Sequence, residues 1–101
     1  MKLIEIFLPL YDNSGRKLPK IAFAKTREEL IARFGGLTAY SRAPARGFWK
    51  EKGRTTRDEI VVFEVMAKRA DKTYWRRYKR ELEKRFRQEE IVIRMLDCET
   101  M

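Results

Sequence analysis

One short motif occurs twice in this chain and limits the fold more than any other feature. Glu29-Leu30-x-x-Arg33-Phe34 returns 52 residues later as Glu81-Leu82-x-x-Arg85-Phe86. Each copy closes a stretch of helical periodicity, and each runs on into a β-rich segment. A helix-to-strand unit used twice points to two similar βαβ halves.

The segments around the motif fill in those halves. Leu3-Ile4-Glu5-Ile6-Phe7-Leu8 is a β-rich run closed by Pro9 and predicts a first strand. Asp12-Asn13-Ser14-Gly15 supplies turn chemistry. Pro19 suits the first turn of a helix, whose apolar stripe falls at Phe23, Leu30, Ile31 and Phe34. Gly35-Gly36 then ends it through a left-handed cap. Residues 37–41 alternate and predict a second strand, interrupted at Ala43-Pro44-Ala45 because proline gives no donor to a ladder. Phe48-Trp49-Lys50 through Arg54-Thr55-Thr56 reads as a hairpin tip around Gly53. Ile60 through Met66 is the strongest strand. Its near-continuous apolar run predicts burial on both faces. Asp71 or Thr73 can cap a second helix reaching about Gln88, with Tyr74, Tyr78, Leu82 and Phe86 as its buried stripe, aided by Trp75. Ile91 through Leu96 is the last strand.

The order β-α-β-β-α-β predicts an α+β, ferredoxin-like βαββαβ fold. Its four-stranded antiparallel sheet runs in the order 4-1-3-2 with both helices on one face. At 101 residues one domain is expected, over 1–97, with 98–101 as a loose tail. A single cysteine excludes a disulfide framework and any multi-cysteine metal site. The absence of histidine removes the commonest metal ligand and general base. No metal and no cofactor are therefore expected. No apolar run approaches membrane-spanning length, so no membrane contact is expected. The first residues carry no export pattern, which leaves a cytoplasmic protein as the expectation.

Strand parity assigns the two faces of the sheet. Ile4, Ile6, Leu8, Val61, Phe63 and Val65 fall toward the helices. Leu3, Phe7, Ile60, Val62, Met66 and Leu96 fall on the opposite face, around Glu5, Glu64, Tyr40, Arg42 and Arg94. A solvated antiparallel face is normally polar. An apolar centre marks an interaction surface, and the simplest cover is a second copy. Leu3, Phe7, Ile60 and Val62 are thus the expected homodimer interface, with Phe48 and Trp49 on the hairpin arm packing beside it. Glu5–Arg94 and Glu64–Arg42 are either ordinary cross-strand ion pairs or the polar wall of a small cleft. In the cleft reading the carboxylates serve as acid or base, and Tyr40, Arg42 and Arg94 orient a small anionic ligand.

Charge concentrates in the second helix. The chain carries 24 Lys+Arg against 15 Asp+Glu, a net +9, and residues 71–88 hold more than half of that excess. Arg76, Arg77, Arg80, Lys84 and Arg87 make a candidate polyanion surface. The plain alternative is a solvated face with Arg77–Glu81 and Lys79–Glu83 paired one turn apart. RNA recognition by base stacking on the sheet is rejected, because the central strands offer Phe7 alone among carboxylates. Gly35-Gly36 is not a phosphate loop. Ser14 and Ser41 lack a histidine partner. Cys98, flanked by Asp97 and Glu99, is a poor thiolate.

Arg33 through Pro44, followed by Gly47-Phe48-Trp49, together with Tyr78 through Ile93, resembles a family of small uncharacterised bacterial proteins of about this length. That resemblance implies the domain boundaries and adds no catalytic residue. The architecture is also similar to the dimeric α+β barrel superfamily, which pairs two ferredoxin-like sheets face to face. Three functions follow in order: a homodimeric cytoplasmic binding or regulatory domain, a dimeric-barrel enzyme acting on a small anionic or aromatic substrate, and a nucleic-acid-binding accessory protein using the basic helix without sequence preference. Function does not follow from the fold.

Overall fold

The computed structural model describes residues 1–40, 45–51 and 54–101, with side chains outside 41–58. The elements run β1 (Lys2–Pro9), α1 (Lys20–Phe34), β2 (Thr38–Ala39), β3 (Ala45–Glu51), β4 (Arg54–Ala67), α2 (Lys72–Arg85) and β5 (Ile93–Asp97). The sheet order is β2-β4-β1-β5, antiparallel throughout. With the extra arm β3 set aside, this is the expected 4-1-3-2 arrangement. The fold is α+β and ferredoxin-like.

The core follows from the alternation. Ile4, Ile6 and Leu8 on β1, with Val61, Phe63 and Val65 on β4, are buried against the helices. From α1 they meet Ala22 and Leu30, and from α2 Trp75, Tyr78 and Leu82, with Phe86 just beyond. Rings lock the layers. Phe23 meets Phe86 edge-on at 5.0 Å, and Phe34 stacks on Trp75 at 5.3 Å.

Local chemistry sets the boundaries. Oδ1 of Asp12 accepts from the Ser14 and Arg16 amides, both at 2.9 Å, which folds the turn after β1. α1 ends at Gly35 (φ 80°), whose N–H donates to the Ile31 carbonyl at 2.8 Å. A side chain at that φ would be strained. Asp71, not Thr73, caps α2: its Oδ1 accepts from the Tyr74 amide at 3.1 Å.

Several expectations need correction. In α1 the buried positions are Ala22, Thr26 and Leu30, while Ile31 is exposed. The inward polar residue Thr26 returns its hydroxyl to the Ala22 carbonyl at 2.8 Å, which is why a polar side chain can take an apolar position. α2 ends at Arg85 instead of about Gln88. Phe86 caps it, and Arg87 turns left-handed at φ 52°. Among the described residues the second strand shrinks to Thr38–Ala39, and the last begins at Ile93. The hairpin tip is a full arm: β3 pairs with β4 from Ala45↔Ile60 to Glu51↔Arg54, which makes β4 14 residues long. The predicted break at Ala43-Pro44 lies outside the described residues. The tail is tied down at its start, since the Cys98 amide donates to the Met1 carbonyl at 3.0 Å.

Candidate functional site

The open face carries one polar line across four strands. Register places Glu5 of β1 opposite Arg94 of β5 on one side and Glu64 of β4 on the other, with Glu64 opposite Thr38 of β2. Tyr40 joins next to β2, its amide donating to the Val62 carbonyl at 2.9 Å. The expected Glu5–Arg94 pair forms, with Nη2 of Arg94 3.1 Å from Oε1 of Glu5. That oxygen is inaccessible to water and receives no hydrogen bond, so Arg94 serves it as a counter-charge out of line for donation. The Arg94 guanidinium also lies over the Phe7 ring at 4.6 Å. The partner expected for Glu64, Arg42, lies outside the described residues.

Glu5 lies between Arg94 and Glu64, so the arginine sits beside Glu5 and Glu64 has a carboxylate for its neighbour. Burial pushes the Glu64 carboxyl above the usual glutamate range, and the hydrogen bond and charge of Glu5 push it further in the same direction. The Glu64 charge in turn raises the Tyr40 phenol. Glu64 is thus shifted toward its neutral form, and a carboxyl in that form can donate to Glu5.

Glu64 also lines a cavity of about 290 Å³ with Leu3, Phe34, Leu37, Thr38, Val65, Met66 and the Gly35-Gly36 backbone. Thr38 and the loop before it were not singled out from sequence as lining. Their only signal there was the glycine pair, which leaves open space beside the backbone. The charged side chain in that lining is an acid, so the cavity itself offers no cation to an anionic ligand. Cations gather at a second cavity of about 310 Å³, where Lys17, Lys20 and Arg27 rim Leu10, Leu18, Phe23, Val61 and Phe63.

Around the polar line the face is apolar. Leu3, Phe7 and Ile60 are half-buried, while Met66 and Leu96 are about half exposed, at 51% and 44%. Val62 departs from expectation: it is 7% exposed, yet it lies outside the main core cluster. The side chains of Phe48 and Trp49 lie outside the described residues.

The basic surface splits in two. Arg76, Arg77, Arg80 and Lys84 are exposed on α2. Arg87 is not on the helix; its guanidinium lies 3.9 Å from Oδ2 of Asp12, so the five-residue patch expected from sequence loses one end. Lys79 pairs with Glu83 at 3.9 Å and Glu90 at 2.5 Å. Among the described residues no cluster of side chains could hold a metal ion. None of the described helices is long and apolar enough to cross a membrane.

Solved structures place this geometry among ferredoxin-like chains. A variant of CutA1 from Pyrococcus horikoshii OT3 superposes with TM-score 0.60 at 13% identity, covering 100% of this chain and 86% of that one. A phage SAM lyase in complex with S-methyl-5'-thioadenosine gives TM-score 0.61 at 16% identity, covering 95% and 80%. At such identities the likeness is one of fold. No family model and no curated protein matches the sequence.

Proposed function

We propose that this chain is a small cytoplasmic ligand-binding domain that works as a homodimer, two open sheet faces packed on each other. One observation carries the reading: an apolar sheet face built around a carboxyl pair, where a solvated antiparallel sheet would be polar. Sheets stack about 10 Å apart when apolar side chains interdigitate, and Leu3, Phe7, Ile60, Met66 and Leu96 provide such a layer. Glu5 enters with Arg94 as its counter-charge, and burial shifts Glu64 toward its neutral form, which lowers the cost of covering the pair.

The cavity beside Glu64 sits at the rim of that face and is the ligand site. Apolar walls with one acid fit a small neutral or cationic molecule bearing a hydrogen-bonding group. S-methyl-5'-thioadenosine, the compound held by one fold neighbour, has that chemistry and serves as a probe. Sedimentation at micromolar concentration should give about twice the 12.2 kDa chain mass. Phe7→Lys should give a monomer with unchanged circular dichroism, since burying an unpaired charge in the interface costs several kcal/mol. Val62→Lys should destabilise the protomer itself, because Val62 is already 7% exposed in the single chain. A wild-type monomer would overturn the assembly. The ligand reading is overturned if the probe raises the melting temperature of wild type and Glu64→Ala equally, or of neither.

A second reading rests on the cationic cavity rimmed by Lys17, Lys20 and Arg27. Its apolar floor and basic rim fit an anion with an apolar body. Decanoate should then raise the melting temperature, and Lys20→Glu with Arg27→Glu should abolish the rise.

A further inference from the structure

β5 is a sheet edge. Among the described residues its sheet neighbour is β1, on one side only. The hydrogen bonds fix which groups face outward. The Phe7 amide donates to the Val92 carbonyl at 3.1 Å, and the Cys98 amide to the Met1 carbonyl at 3.0 Å. In an antiparallel ladder these bonds recur at every second residue. Arg94 and Leu96 therefore also turn their backbone to β1. Ile93, Met95 and Asp97 present N–H and C=O to the outside.

That row lies beside a cavity. About 290 Å³ opens between β5 and α2, with Trp75, Ile93 and Met95 as its apolar wall and Lys72, Arg76 and Lys79 on its rim. The three cations follow helical spacing on the flank of α2 that overhangs the edge. Lys79 already has Glu83 and Glu90 as partners, so Lys72 and Arg76 carry the excess charge. Exposed edge strands are ordinarily blunted by a proline, a bulge or an inward-pointing charge. β5 carries no proline, and its two helix-facing side chains under α2, Ile93 and Met95, are apolar and half-buried.

We propose that the outer edge of β5 receives an extended acidic segment of a partner protein, added as a further strand. An apolar side chain of that segment enters the cavity, and acidic side chains two residues away on the same face meet Lys72 and Arg76. The period of two in a strand places those side chains on one face, and the outward row at 93, 95 and 97 supplies the backbone bonds. Charge argues against a second copy here. Joining two β5 edges would bring two α2 flanks together, and residues 71–88 are strongly basic.

The probe is a fluorescein-labelled peptide, Glu-Thr-Glu-Thr-Leu-Thr-Glu with blocked ends, titrated into the full chain and followed by anisotropy and amide hydrogen exchange. Binding should slow exchange at Ile93, Met95 and Asp97 and weaken with salt. The double variant Lys72→Glu/Arg76→Glu should weaken it roughly tenfold or more. A peptide N-methylated at its leucine and at the glutamate two residues before it should not bind, because in an antiparallel addition the residues opposite 93, 95 and 97 share their face and turn their N–H to β5. Equal binding by a peptide with Lys for Glu would overturn the proposal, as would unchanged exchange at the three amides. Duplex DNA that competes fully and protects none of the three amides would assign the flank to polyanions instead. Concentration-dependent protection of those amides in the free chain would assign the edge to a second copy.

Discussion

At the scale of single residues, the two copies of the motif show how one sequence pattern takes two jobs. Arg85 has its side chain largely buried and forks onto Glu29 at 2.7 and 3.2 Å, while its Nη1 also donates to Oγ1 of Thr26 at 2.9 Å. The Tyr78 hydroxyl donates to the same carboxylate at 3.0 Å. Arg33, the matching residue of the first copy, instead lies over the Tyr74 ring at 3.7 Å. Removing Arg85 takes one donor from a buried hydroxyl that keeps its bond to Ala22 and leaves a half-buried carboxylate with Tyr78 but no counter-charge, whereas removing Arg33 leaves an aromatic ring. Arg85→Met should therefore cost about 1–3 kcal/mol of folding stability, and Arg33→Met about 0.5–1 kcal/mol, read from urea midpoints. Equal losses would contradict the asymmetry. The same knot sets an acid limb. Burial pushes Glu29 up, but the Arg85 and Tyr78 hydrogen bonds outweigh it and hold the carboxyl below its usual 4.5. A carboxyl lowered by folding contributes its stability above the ordinary value and loses it as pH falls through the lowered one. Arg85→Met should flatten the pH dependence of stability just below pH 4.5.

At the scale of elements, capping decides what the sequence left open. Asp71 and Thr73 both fit the start of α2, and the Asp71 carboxylate takes the Tyr74 amide. Asp71→Ala should cost about 1 kcal/mol by thermal denaturation, and Thr73→Ala no more than about 0.5 kcal/mol. The sequence made the elements legible where one physical rule dominated. Alternation alone placed Ile4, Ile6 and Leu8 inward, and glycine alone ended α1. It failed where tertiary partners decide. The α2 stripe runs through Phe86, so periodicity carried the helix too far. The chain leaves the helix at Phe86 because its ring seats against Phe23, and Arg87 takes the left-handed turn. Ile31 was counted inward because it is apolar, but the inward place went to Thr26, whose hydroxyl has both a carbonyl and Arg85. Of the polar line, Glu5 with Arg94 was readable from register once the sheet order was known. The raised Glu64 carboxyl was not, since it depends on burial. The cavity walls after Gly35 were also hidden, because a loop carries no periodicity.

At the scale of the whole molecule, the raised Glu64 carboxyl couples assembly to pH. The reasoning requires the open-face dimer. Burial already holds Glu64 above its usual 4.5 in the single chain, and a second sheet packed over it would desolvate it further. An acid whose pKa rises on association is bound in its protonated form. The dimer is then favoured below the single-chain value, and it loses that advantage as pH climbs through the value in the dimer. Each pKa unit added by assembly is worth about 1.4 kcal/mol per protomer, and two protomers contribute. One unit each would weaken the dimer roughly 100-fold across the transition. The dissociation constant should therefore rise with pH above the usual glutamate range, measured by sedimentation at fixed ionic strength. Glu64→Gln keeps the shape and the donor without the charge, so its dimer should be tighter at pH 8 and nearly independent of pH. Glu5→Gln is the contrasting variant, because it leaves Arg94 without its counter-charge in the interface and should weaken the dimer at every pH. A dimer whose affinity ignores pH in both wild type and Glu64→Gln would place the carboxyl pair outside the contact, and the sheets would then meet elsewhere.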